Sequence, residues 1–295
     1  MKEMEPAGTG PLGLFGNPVE HSFSPLFMNH ALSLLDLNYR YLAFSIEENE
    51  LQHAVQALRT LKFRGVNVTI PFKRSVIRHL DHVHEKAKII GAVNCIRNSE
   101  GTLTGYNTDQ AGFIKPLLDR DIRIRDRQAL IIGAGGAARA VVTGLVEQGI
   151  SHMLLLNRTE RKAASLVDWC REELHYNGID YVGRPSKLEQ NILTSCNLIV
   201  NTTPVGMHPA TEHSPVPDSL SFSEQQTVYD LIYNPLETRL LKRAREGGAV
   251  WLNGFEMLIL QGLYSLACWF PQHERKIFSL QDKIVDYTRQ VVTGK

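Results

Sequence analysis

The sequence predicts an α/β protein with two domains, each built on a mostly parallel sheet. Short β-type segments alternate with amphipathic helical segments along most of the chain, an order typical of parallel sheets with covered faces. The length of 295 residues is more than one hydrophobic core usually needs. A run of alternating charges over residues 119–127 marks the expected start of the second domain.

Composition and charge exclude several functional classes. The formal net charge is +1, with 32 Lys and Arg against 31 Asp and Glu, so neither nucleic acid nor a membrane surface is expected as a partner. The 4 cysteines form no Cys-x-x-Cys pair, and we expect reduced thiols in a cytoplasmic protein. The first ten residues lack the apolar run of a signal peptide, and no segment reaches the ~20 apolar residues that span a bilayer.

The first predicted strand, residues 12–16, leads into a loop and a helix that could hold an anion. Ser24 precedes Pro25, and proline is favoured at the first position of a helix. Ser22 and Ser24 would then lie beside a helix N-terminus, where backbone N–H groups and hydroxyls favour a negative charge. The alternative is that Ser24 only caps the helix.

Two further strands and a helix continue the alternation. Residues 39–44 form a predicted strand, residues 47–61 a helix with one apolar face, and residues 66–70 a strand in which apolar and polar side chains alternate. Another helix is expected at residues 72–80.

Lys73 follows this third strand at a rigid turn. Pro71 cannot donate to a sheet ladder, so the strand must end there and Lys73 is held near its carboxyl end. Ligands of open α/β sheets bind at that end. Together with Asn67 and Thr69, Lys73 could form a polar pocket with one proton-transfer group. The alternative is a loop lysine in solvent.

Two polar residues further along occupy positions that favour a specific role. Residues 91–96 are predicted as a strand with Asn94 inside it, and because Asn is depleted in strands we expect it to make a specific hydrogen bond. A satisfied core Asn is the alternative. Asp109 opens the next helical segment, where capping the helix is its simplest role.

A histidine cluster does not support a metal site. His79, His82 and His84 lie near Asp81, but a polar helix end explains them as well, and no Glu or Cys constellation joins them. We therefore predict that no metal is bound.

A glycine-rich turn follows the first strand of the second domain. The apolar strand at residues 128–132 leads directly into an apolar helix through Gly133-Ala134-Gly135-Gly136-Ala137-Ala138. In such a Gly-x-Gly-x-x-Ala turn the first glycine allows the tight turn, the second lets the backbone approach a pyrophosphate, and the small third residue permits close packing. The strand–turn–helix context predicts a bound dinucleotide.

The end of the next strand favours NADP over NAD. After the strand at residues 153–156 come Asn157, Arg158 and Thr159, with Lys162 one turn into the helix. An NAD site commonly has Asp or Glu here for the ribose 2′-hydroxyl, whereas a neutral acceptor with cations suits a 2′-phosphate. Glu160 opposes this interpretation, and a solvated helix start is the alternative.

Three more strands are predicted in the second domain, at residues 198–200, from residue 227, and at residues 249–252. The loop after the first of them should lie beside the cofactor, with Met207 either packed against the nicotinamide or filling core space. Helices are expected from residue 256 and over residues 280–292.

Nine short motifs follow one another along the chain. They are Ser22-x-Ser24-Pro, Asn67-Val-Thr-Ile-Pro-Phe-Lys73, Gly91-Ala-Val-Asn94, Gly105-Tyr-Asn-Thr-Asp109, Gly133-Ala-Gly-Gly-Ala, Asn157-Arg-Thr, Asn201-Thr-Thr-Pro-x-Gly-Met207, Asp230-Leu-Ile-Tyr-Asn-Pro235 and Gly254-x-x-Met-Leu-x-x-Gln261. This set resembles the motifs of the shikimate dehydrogenase family, and the resemblance covers the chain from about Gly13 to Gln261.

The resemblance implies two α/β domains with a cleft between them. Residues 1–111 with 255–295 would form the substrate-binding and catalytic domain, and residues 112–254 a Rossmann-type, doubly wound NADP-binding domain. The implied reaction is the reversible NADPH-dependent reduction of 3-dehydroshikimate to shikimate, in the route to chorismate and the aromatic amino acids. Closure about the chain crossings near Gly112 and Gly254 is a further expectation.

The same resemblance implies roles for individual residues. Lys73 and Asp109 would be the catalytic pair. The substrate would be bound at Ser22 and Ser24 by its carboxylate and at Thr69, Asn94, Asp109 and Gln261 by its other oxygens, with Lys73 and Tyr233 nearby. The cofactor would be bound at Gly133, Ala134, Gly135, Gly136, Ala137, Asn157, Arg158, Thr159, Lys162, Thr203, Met207, Leu231 and Gly254. The arginine usual in the family after Asn157-Arg-Thr is replaced by Lys162, which keeps a cation.

Two other functions fit parts of the sequence. A quinate or quinate/shikimate dehydrogenase using NAD would share most motifs, although Ser22, Ser24 and Arg158 favour shikimate with NADP. A catalytically silent sensor of shikimate-like ligands would share the fold, although the presence of both Lys73 and Asp109 counts against it. The expected assembly is a monomer or a homodimer.

Overall fold

The structure, a computed structural model, describes residues 9–294 and divides into two compact units. One unit comprises the chain up to Gly112 and again from Ile259, and the other comprises Phe113–Leu258. The predicted fold class is confirmed, because each unit contains one 6-stranded, parallel-rich sheet. The expectation that no signal peptide is present concerns the first ten residues. Of these, residues 1–8 lie outside the described part.

The first unit contains a mixed sheet. Its strands are β1 (Gly10–Gly16), β2 (Tyr39–Ser45), β3 (Gly65–Val68), β4 (His82–Val83), β5 (Cys95–Ser99) and β6 (Thr102–Tyr106). The order across the sheet is β2-β1-β3-β5-β6-β4; β1 is parallel to β2 and β3, and β5 is antiparallel to β3 and β6. The carboxyl ends of β1 and β3 therefore meet at one edge, which is where a ligand site is expected.

Helices alternate with the strands of this unit. They are α1 (Ser24–Leu34), α2 (Leu51–Thr60), α3 (Glu85–Ile90) and α4 (Asp109–Leu118), the last of which begins in the first unit and ends in the second. In α2 the residues Leu51, Val55 and Leu58 are buried at helical spacing, as the one-sided apolar pattern predicts. They share a core with apolar side chains of β1, β3 and β5.

The second unit contains an all-parallel sheet. Its strands are β7 (Gln128–Ile132), β8 (His152–Leu156), β9 (Ile179–Gly183), β10 (Leu198–Asn201), β11 (Thr227–Asp230) and β12 (Val250–Leu252). The order β12-β11-β10-β7-β8-β9 is that of a doubly wound dinucleotide-binding sheet. The strand order reverses between β7 and β10, and ligands of such sheets bind outside the carboxyl ends of the strands at that point.

Four helices connect these strands: α5 (Gly136–Glu147), α6 (Glu160–Glu173), α7 (Gln190–Ser195) and α8 (Arg239–Glu246). β10 and β11 are buried along their whole length, which is typical of parallel strands covered on both faces. The turn between β7 and α5 requires glycine at its first position. Gly133 has φ +111°, and a Cβ there would lie 2.5 Å from Thr202 Oγ1.

The chain returns to the first unit along α9 (Gly254–Trp269), which is followed by α10 (Glu274–Ser279) and α11 (Gln281–Thr293). Trp269 at the end of α9 is fully buried, and its Nε1 donates to Ile96 O at 2.9 Å. A Cβ at Gly65 on β3 would lie 2.1 Å from that nitrogen, so the glycine leaves the space that the indole fills.

The structure corrects three predicted elements. The strand predicted at residues 91–96 is wrong over most of its length, because Gly91 ends α3 in the left-handed conformation and β5 begins only at Cys95. The helix predicted at residues 72–80 is instead a turn followed by a short 3-10 helix at Ser75–His79. The third strand ends at Val68, before the predicted limit at Ile70.

Two features of residues 9–294 concern membranes and metals. No helix in this range is long and apolar enough to cross a membrane. The same range contains no group of three or more His, Cys, Asp or Glu side chains arranged to hold a metal ion.

Candidate active site

Lys73 is fixed at the carboxyl end of β3 by its backbone and its side chain. Its carbonyl oxygen accepts a hydrogen bond from Val93 N at 2.7 Å. Its Nζ donates to Asp109 Oδ2 at 2.6 Å, and the Lys73 side chain is only 22% exposed. The alternative of a loop lysine in solvent is therefore wrong.

Asp109 is the first residue of α4, and its carboxylate is shared between two donors. Oδ2 accepts from Lys73 Nζ, and Oδ1 accepts from Asn94 Nδ2 at 2.8 Å. The Asp109 side chain is 8% exposed, so the charge-assisted bond to Lys73 is formed largely out of water. This carboxylate orients the lysine ammonium.

Asn94 joins three other polar side chains of the first unit. Its Nδ2 donates to Thr108 Oγ1 at 2.9 Å, to Asp109 Oδ1 at 2.8 Å and to Gln261 Oε1 at 3.1 Å. Its Oδ1 accepts from Thr108 N at 2.7 Å. Asn94 precedes β5, so its predicted position inside a strand is wrong, whereas the expected specific hydrogen bond is confirmed. It is also buried and satisfied, so the core alternative describes the same residue.

Four predicted site residues thus meet in the first unit. Lys73 comes from the turn after β3, Asn94 from the loop before β5, Asp109 from the start of α4, and Gln261 from α9. The turn, the loop and the two helices are far apart in sequence, and the sheet brings them to one place.

Ser22 and Ser24 lie together at the start of α1. Ser22 Oγ donates to Ser24 Oγ at 3.1 Å and accepts from Ser24 N at 3.2 Å. The cap position of α1 is Phe23 and Ser24 is the first helical residue, so the alternative that Ser24 caps the helix is wrong. Thr69 follows β3, and its N–H donates to Phe15 O of β1 at 2.8 Å.

The glycine-rich loop of the second unit leaves its backbone open. Gly133 N donates to Leu156 O at 2.8 Å, which fixes the loop across the ends of β7 and β8. Gly135 is the cap residue of α5, and a Cβ at Gly135 or Gly136 would meet nothing within 4 Å. An anion can therefore approach the first N–H groups of α5 without a side chain in its way. The two predicted alanines of this loop, Ala134 and Ala137, are half-buried.

The predicted 2′-phosphate residues follow β8 and reach solvent. Asn157 Nδ2 donates to Thr159 O at 2.7 Å, which tightens the turn into α6. Arg158, Thr159 and Lys162 are exposed. Two cations are therefore accessible at the end of this strand, beside the acidic Glu160 that begins α6.

The loop after β10 presents Met207 to solvent. Thr203 Oγ1 donates to Asn201 Oδ1 at 2.7 Å, which ties the start of the loop to the strand. Met207 is 45% exposed, so the alternative that it fills core space is wrong.

The segment after β11 runs close to the start of α9. Leu231 N donates to Asn201 O at 3.0 Å, and Gly254 N donates to Ile232 O at 2.9 Å. A Cβ at Gly254 would lie 1.9 Å from Leu231 O, so only glycine fits there. Tyr233 is largely enclosed, and burial raises its pKa above the ordinary value of 10.0.

Asp230 is a buried carboxyl between these two loops that sequence reasoning did not place in the site. It is 0% exposed. Oδ1 accepts from Asn201 Nδ2 at 2.9 Å and from Ile232 N at 3.2 Å, and Oδ2 accepts from Thr238 Oγ1 at 2.7 Å. Burial outweighs these hydrogen bonds and raises the pKa of Asp230 to about 6.

Sequence reasoning also missed the residues behind the first-unit site. The sequence predicts Asn67 only as part of a polar pocket and contains Thr108 only as a member of the Gly105–Asp109 motif, and it predicts no role for Tyr41 or Ser265. One signal was available, because Ser265 follows Gln261 by one helical turn and so lies on the same face of α9.

Comparisons with known proteins agree with these two units. The family model described as "Shikimate dehydrogenase substrate binding domain" matches residues 14–96, and the one described as "Shikimate / quinate 5-dehydrogenase" matches residues 117–200. A curated shikimate dehydrogenase (NADP(+)) from Halothermothrix orenii is 45% identical over 88% of this chain and 90% of its own length.

Solved structures give the same result. A shikimate dehydrogenase crystallised in complex with NADP+ has a TM-score of 0.85 and 36% identity, covering 94% of this chain and 95% of its own. The enzyme from Thermus thermophilus in complex with NADP(H) and shikimate has a TM-score of 0.82 and 33% identity, covering 96% and 99%. With such similarity along nearly its whole length, the chain belongs to the shikimate dehydrogenase family.

Proposed function

We propose that this protein is an NADP-dependent shikimate dehydrogenase, which reversibly reduces 3-dehydroshikimate to shikimate. The pair formed by Lys73 and Asp109 carries the proposal. Ketone reduction places negative charge on the carbonyl oxygen, so a proton donor must reach that oxygen. An ammonium has three N–H donors, so the 2.6 Å bond to Asp109 leaves Lys73 able to donate to a substrate as well.

The residues around this pair support a positioned proton transfer. In reduction, a proton would pass from Lys73 Nζ to the developing alkoxide, and in the reverse direction the resulting amine would take the proton of the alcohol. Asp109 would hold Nζ through both directions, and Asn94 would hold Asp109. Because Asn94 also donates to Gln261, the arrangement extends to α9.

The chemistry of shikimate fits the rest of the first-unit site. The substrate is a ring with one carboxylate and several oxygens that can donate and accept hydrogen bonds. The Ser22 and Ser24 hydroxyls would bind the carboxylate, and Thr69, Asn94 and Gln261 would bind the other oxygens, with Tyr233 as a further predicted contact. The division of the chain at Gly112 and Leu258 supports assigning residues 1–111 with 255–295 to the substrate and residues 112–254 to NADP.

The second unit fits NADP by its own chemistry. The open backbone at Gly135 and Gly136, at the start of α5, suits a pyrophosphate. The accessible guanidinium of Arg158 suits a 2′-phosphate, with Lys162 as a second cation. When bound, NADP supplies the hydride, while the protein supplies position and charge.

We further propose a cytoplasmic monomer or homodimer that binds no nucleic acid, membrane or metal. The four cysteines Cys95, Cys170, Cys196 and Cys268 are free thiols, which suits a reducing compartment. A net charge of +1 gives no general attraction to polyanions. Sedimentation of the purified protein would distinguish the two assemblies.

The experiment is NADP reduction with shikimate by the wild type and by Lys73→Ala. We expect the wild type to turn over, and the variant to lose turnover by about a thousandfold while its affinity for shikimate changes much less. Lys88→Ala is the matched control, because Lys88 also pairs with a carboxylate, Glu85 at 2.8 Å, but on an exposed surface. Near-normal turnover of Lys73→Ala would remove the lysine from the mechanism.

The same assay separates the other two candidate functions. Faster turnover of quinate with NAD than of shikimate with NADP would identify a quinate dehydrogenase instead. Tight binding of shikimate without any NADP reduction would identify a silent sensor.

A further inference from the structure

A chain of buried polar side chains connects the two ends of the first-unit site. Tyr41 on β2 is fully buried, and its hydroxyl donates to Asn67 Oδ1 at 2.9 Å. Asn67 Nδ2 donates in turn to Ser265 Oγ at 2.7 Å and to Asn94 O at 3.1 Å. Three residues from β2, β3 and α9 are therefore joined in the interior.

Ser265 is the branch point of this chain. It is 0% exposed, and its hydroxyl donates to Gln261 O at 2.9 Å. It also shares a hydrogen bond of 3.2 Å with Thr108 Oγ1, and Thr108 binds both the side-chain oxygen and the side-chain nitrogen of Asn94. Ser265 therefore contacts the supports of Asn94 and the backbone of Gln261.

The other end of the chain reaches the serine pair. Asn29 of α1 ties Tyr41 to the first turn of that helix, because its Nδ2 donates to Tyr41 O at 2.9 Å and to Pro25 O, next to Ser24, at 2.8 Å. Burial raises the pKa of the Tyr41 phenol well above its ordinary value, and a hydrogen bond with the Ser24 side chain lowers it by less. Ser24 accepts from Ser22 at 3.1 Å. The connected groups thus run from the predicted carboxylate site to the predicted proton-transfer site.

Burying these polar groups costs free energy, and the fold could be formed without them. A buried hydroxyl or amide must find partners to offset its lost hydration, and apolar side chains of similar size would fill the same volume. A fully satisfied network instead fixes each member in one orientation, because any rotation would leave a buried group unpaired. Residues that act on a bound substrate benefit from this kind of rigid support.

We propose that Ser265 and Tyr41 are positioning residues that set the spacing between the carboxylate end and the proton-transfer end of the substrate site. Neither residue needs to touch the substrate. Ser265 acts on Asn94 through Thr108 and Asn67, and Tyr41 acts on Ser24 directly and on the same Asn67. The inference rests on the proposed function, because it assumes that a substrate with both kinds of group is bound here.

The test compares Ser265→Ala and Tyr41→Phe with the wild type in shikimate oxidation. For Ser265→Ala we expect kcat to fall about tenfold while KM for shikimate stays within about twofold, as for one lost hydrogen bond on the proton-transfer side. For Tyr41→Phe we expect KM to rise about tenfold with kcat within about twofold. Thr288→Val is the matched control, because Thr288 is a fully buried hydroxyl of α11 that donates to Ile284 O and lies outside the chain of polar groups.

The double variant adds a readout that a purely structural role would not move. Because both side chains act through Asn67, we expect the combined loss in kcat/KM to differ from the product of the single losses by more than about threefold. The inference would be overturned if Ser265→Ala and Tyr41→Phe had the kcat and KM of the wild type. It would also be overturned if the control Thr288→Val changed kcat and KM as much as Ser265→Ala, Tyr41→Phe and the double variant do. Either result would leave the proposed function intact. A wild type without shikimate turnover would overturn both.

Discussion

Replacing Asp230 with Asn should change how the stability of the protein depends on pH. Asp230 ends β11 with no exposed surface, and its partners, Asn201, Ile232 N and Thr238, are all neutral. An ionised carboxylate there keeps its hydrogen bonds but loses the hydration it has in the unfolded chain. Asn can accept from Asn201 and Ile232 and donate to the Thr238 hydroxyl, so it keeps the contacts without the charge.

The sign and size of the effect follow from proton binding. Burial raises the pKa of Asp230 from 3.8 to about 6 in the folded protein. Between these values the folded state holds a proton that the unfolded state has released, so stability falls as the pH rises. The difference of about two pH units corresponds to about 3 kcal/mol of unfolding free energy, which is lost between about pH 4 and about pH 6.

Urea unfolding of the wild type and Asp230→Asn at about pH 4 and about pH 7 measures this directly. We expect the variant to match the wild type at the lower pH and to be more stable by about 3 kcal/mol at the higher pH. Asp81→Asn is the control of opposite sign, since hydrogen bonds from Leu103 N and Arg59 lower the pKa of Asp81. For this pair, the stability of the wild type relative to Asp81→Asn should increase as the pH rises. A pH-independent difference between the wild type and Asp230→Asn would refute the reasoning.

Three further substitutions test the site and the core. Arg158→Ala should weaken NADP binding about a hundredfold and NAD binding little, measured by titration, and equal losses would contradict a 2′-phosphate contact. Ser24→Ala should raise KM for shikimate about tenfold with little change in kcat, and an unchanged KM would place the carboxylate elsewhere. Gly65→Ala should lower the free energy of unfolding by about 2 kcal/mol or more, because its Cβ would lie 2.1 Å from Trp269 Nε1. An unchanged melting temperature would show that the indole can move aside.

The second unit could be predicted well because its strands carry strong local signals. Parallel strands that are covered on both faces appear in the sequence as short, uninterrupted apolar runs. The turn after β7 needs glycine for steric reasons, so its glycines mark the point where the strand ends and the helix begins. The sequence does not predict β9, because an Asp interrupts the apolar residues of Ile179–Gly183 and the strand is only partly buried.

The first unit was harder because its sheet is mixed and some of its elements are short. Ala92 and Val93 are apolar and precede Asn94, which resembles the beginning of a strand. The structure instead has a helix end at Gly91, where φ is 68°, followed by an irregular link to β5. A single sequence does not distinguish these two, because a buried link and a buried strand have the same composition.

Single polar residues in apolar segments posed a different difficulty. Tyr41 lies on a predicted strand and Ser265 on a predicted helix, and each is compatible with its element without any further role. Their importance depends on which element lies opposite, and that is a property of the tertiary fold. The turn after the third strand predicts Lys73 as a proton-transfer group, and the family resemblance implies its pairing with Asp109, whereas their 2.6 Å contact is visible only in the structure.

The sequence separations within the first-unit site have a consequence for how the site forms. Asn67 and Ser265 bond across 198 positions, and Trp269 bonds to Ile96 across 173. Ser265 and Trp269 lie on α9, which follows the second unit in the chain, so they can pack into the first unit only after the second unit has been synthesised. Because Ser265 binds Asn67 and Trp269 fills the space at Gly65, the same helix completes the core and the polar chain. Fluctuations that loosen the end of α9 must therefore disturb Asn94 and Gln261 together, so site geometry and core packing in this unit depend on one docked helix.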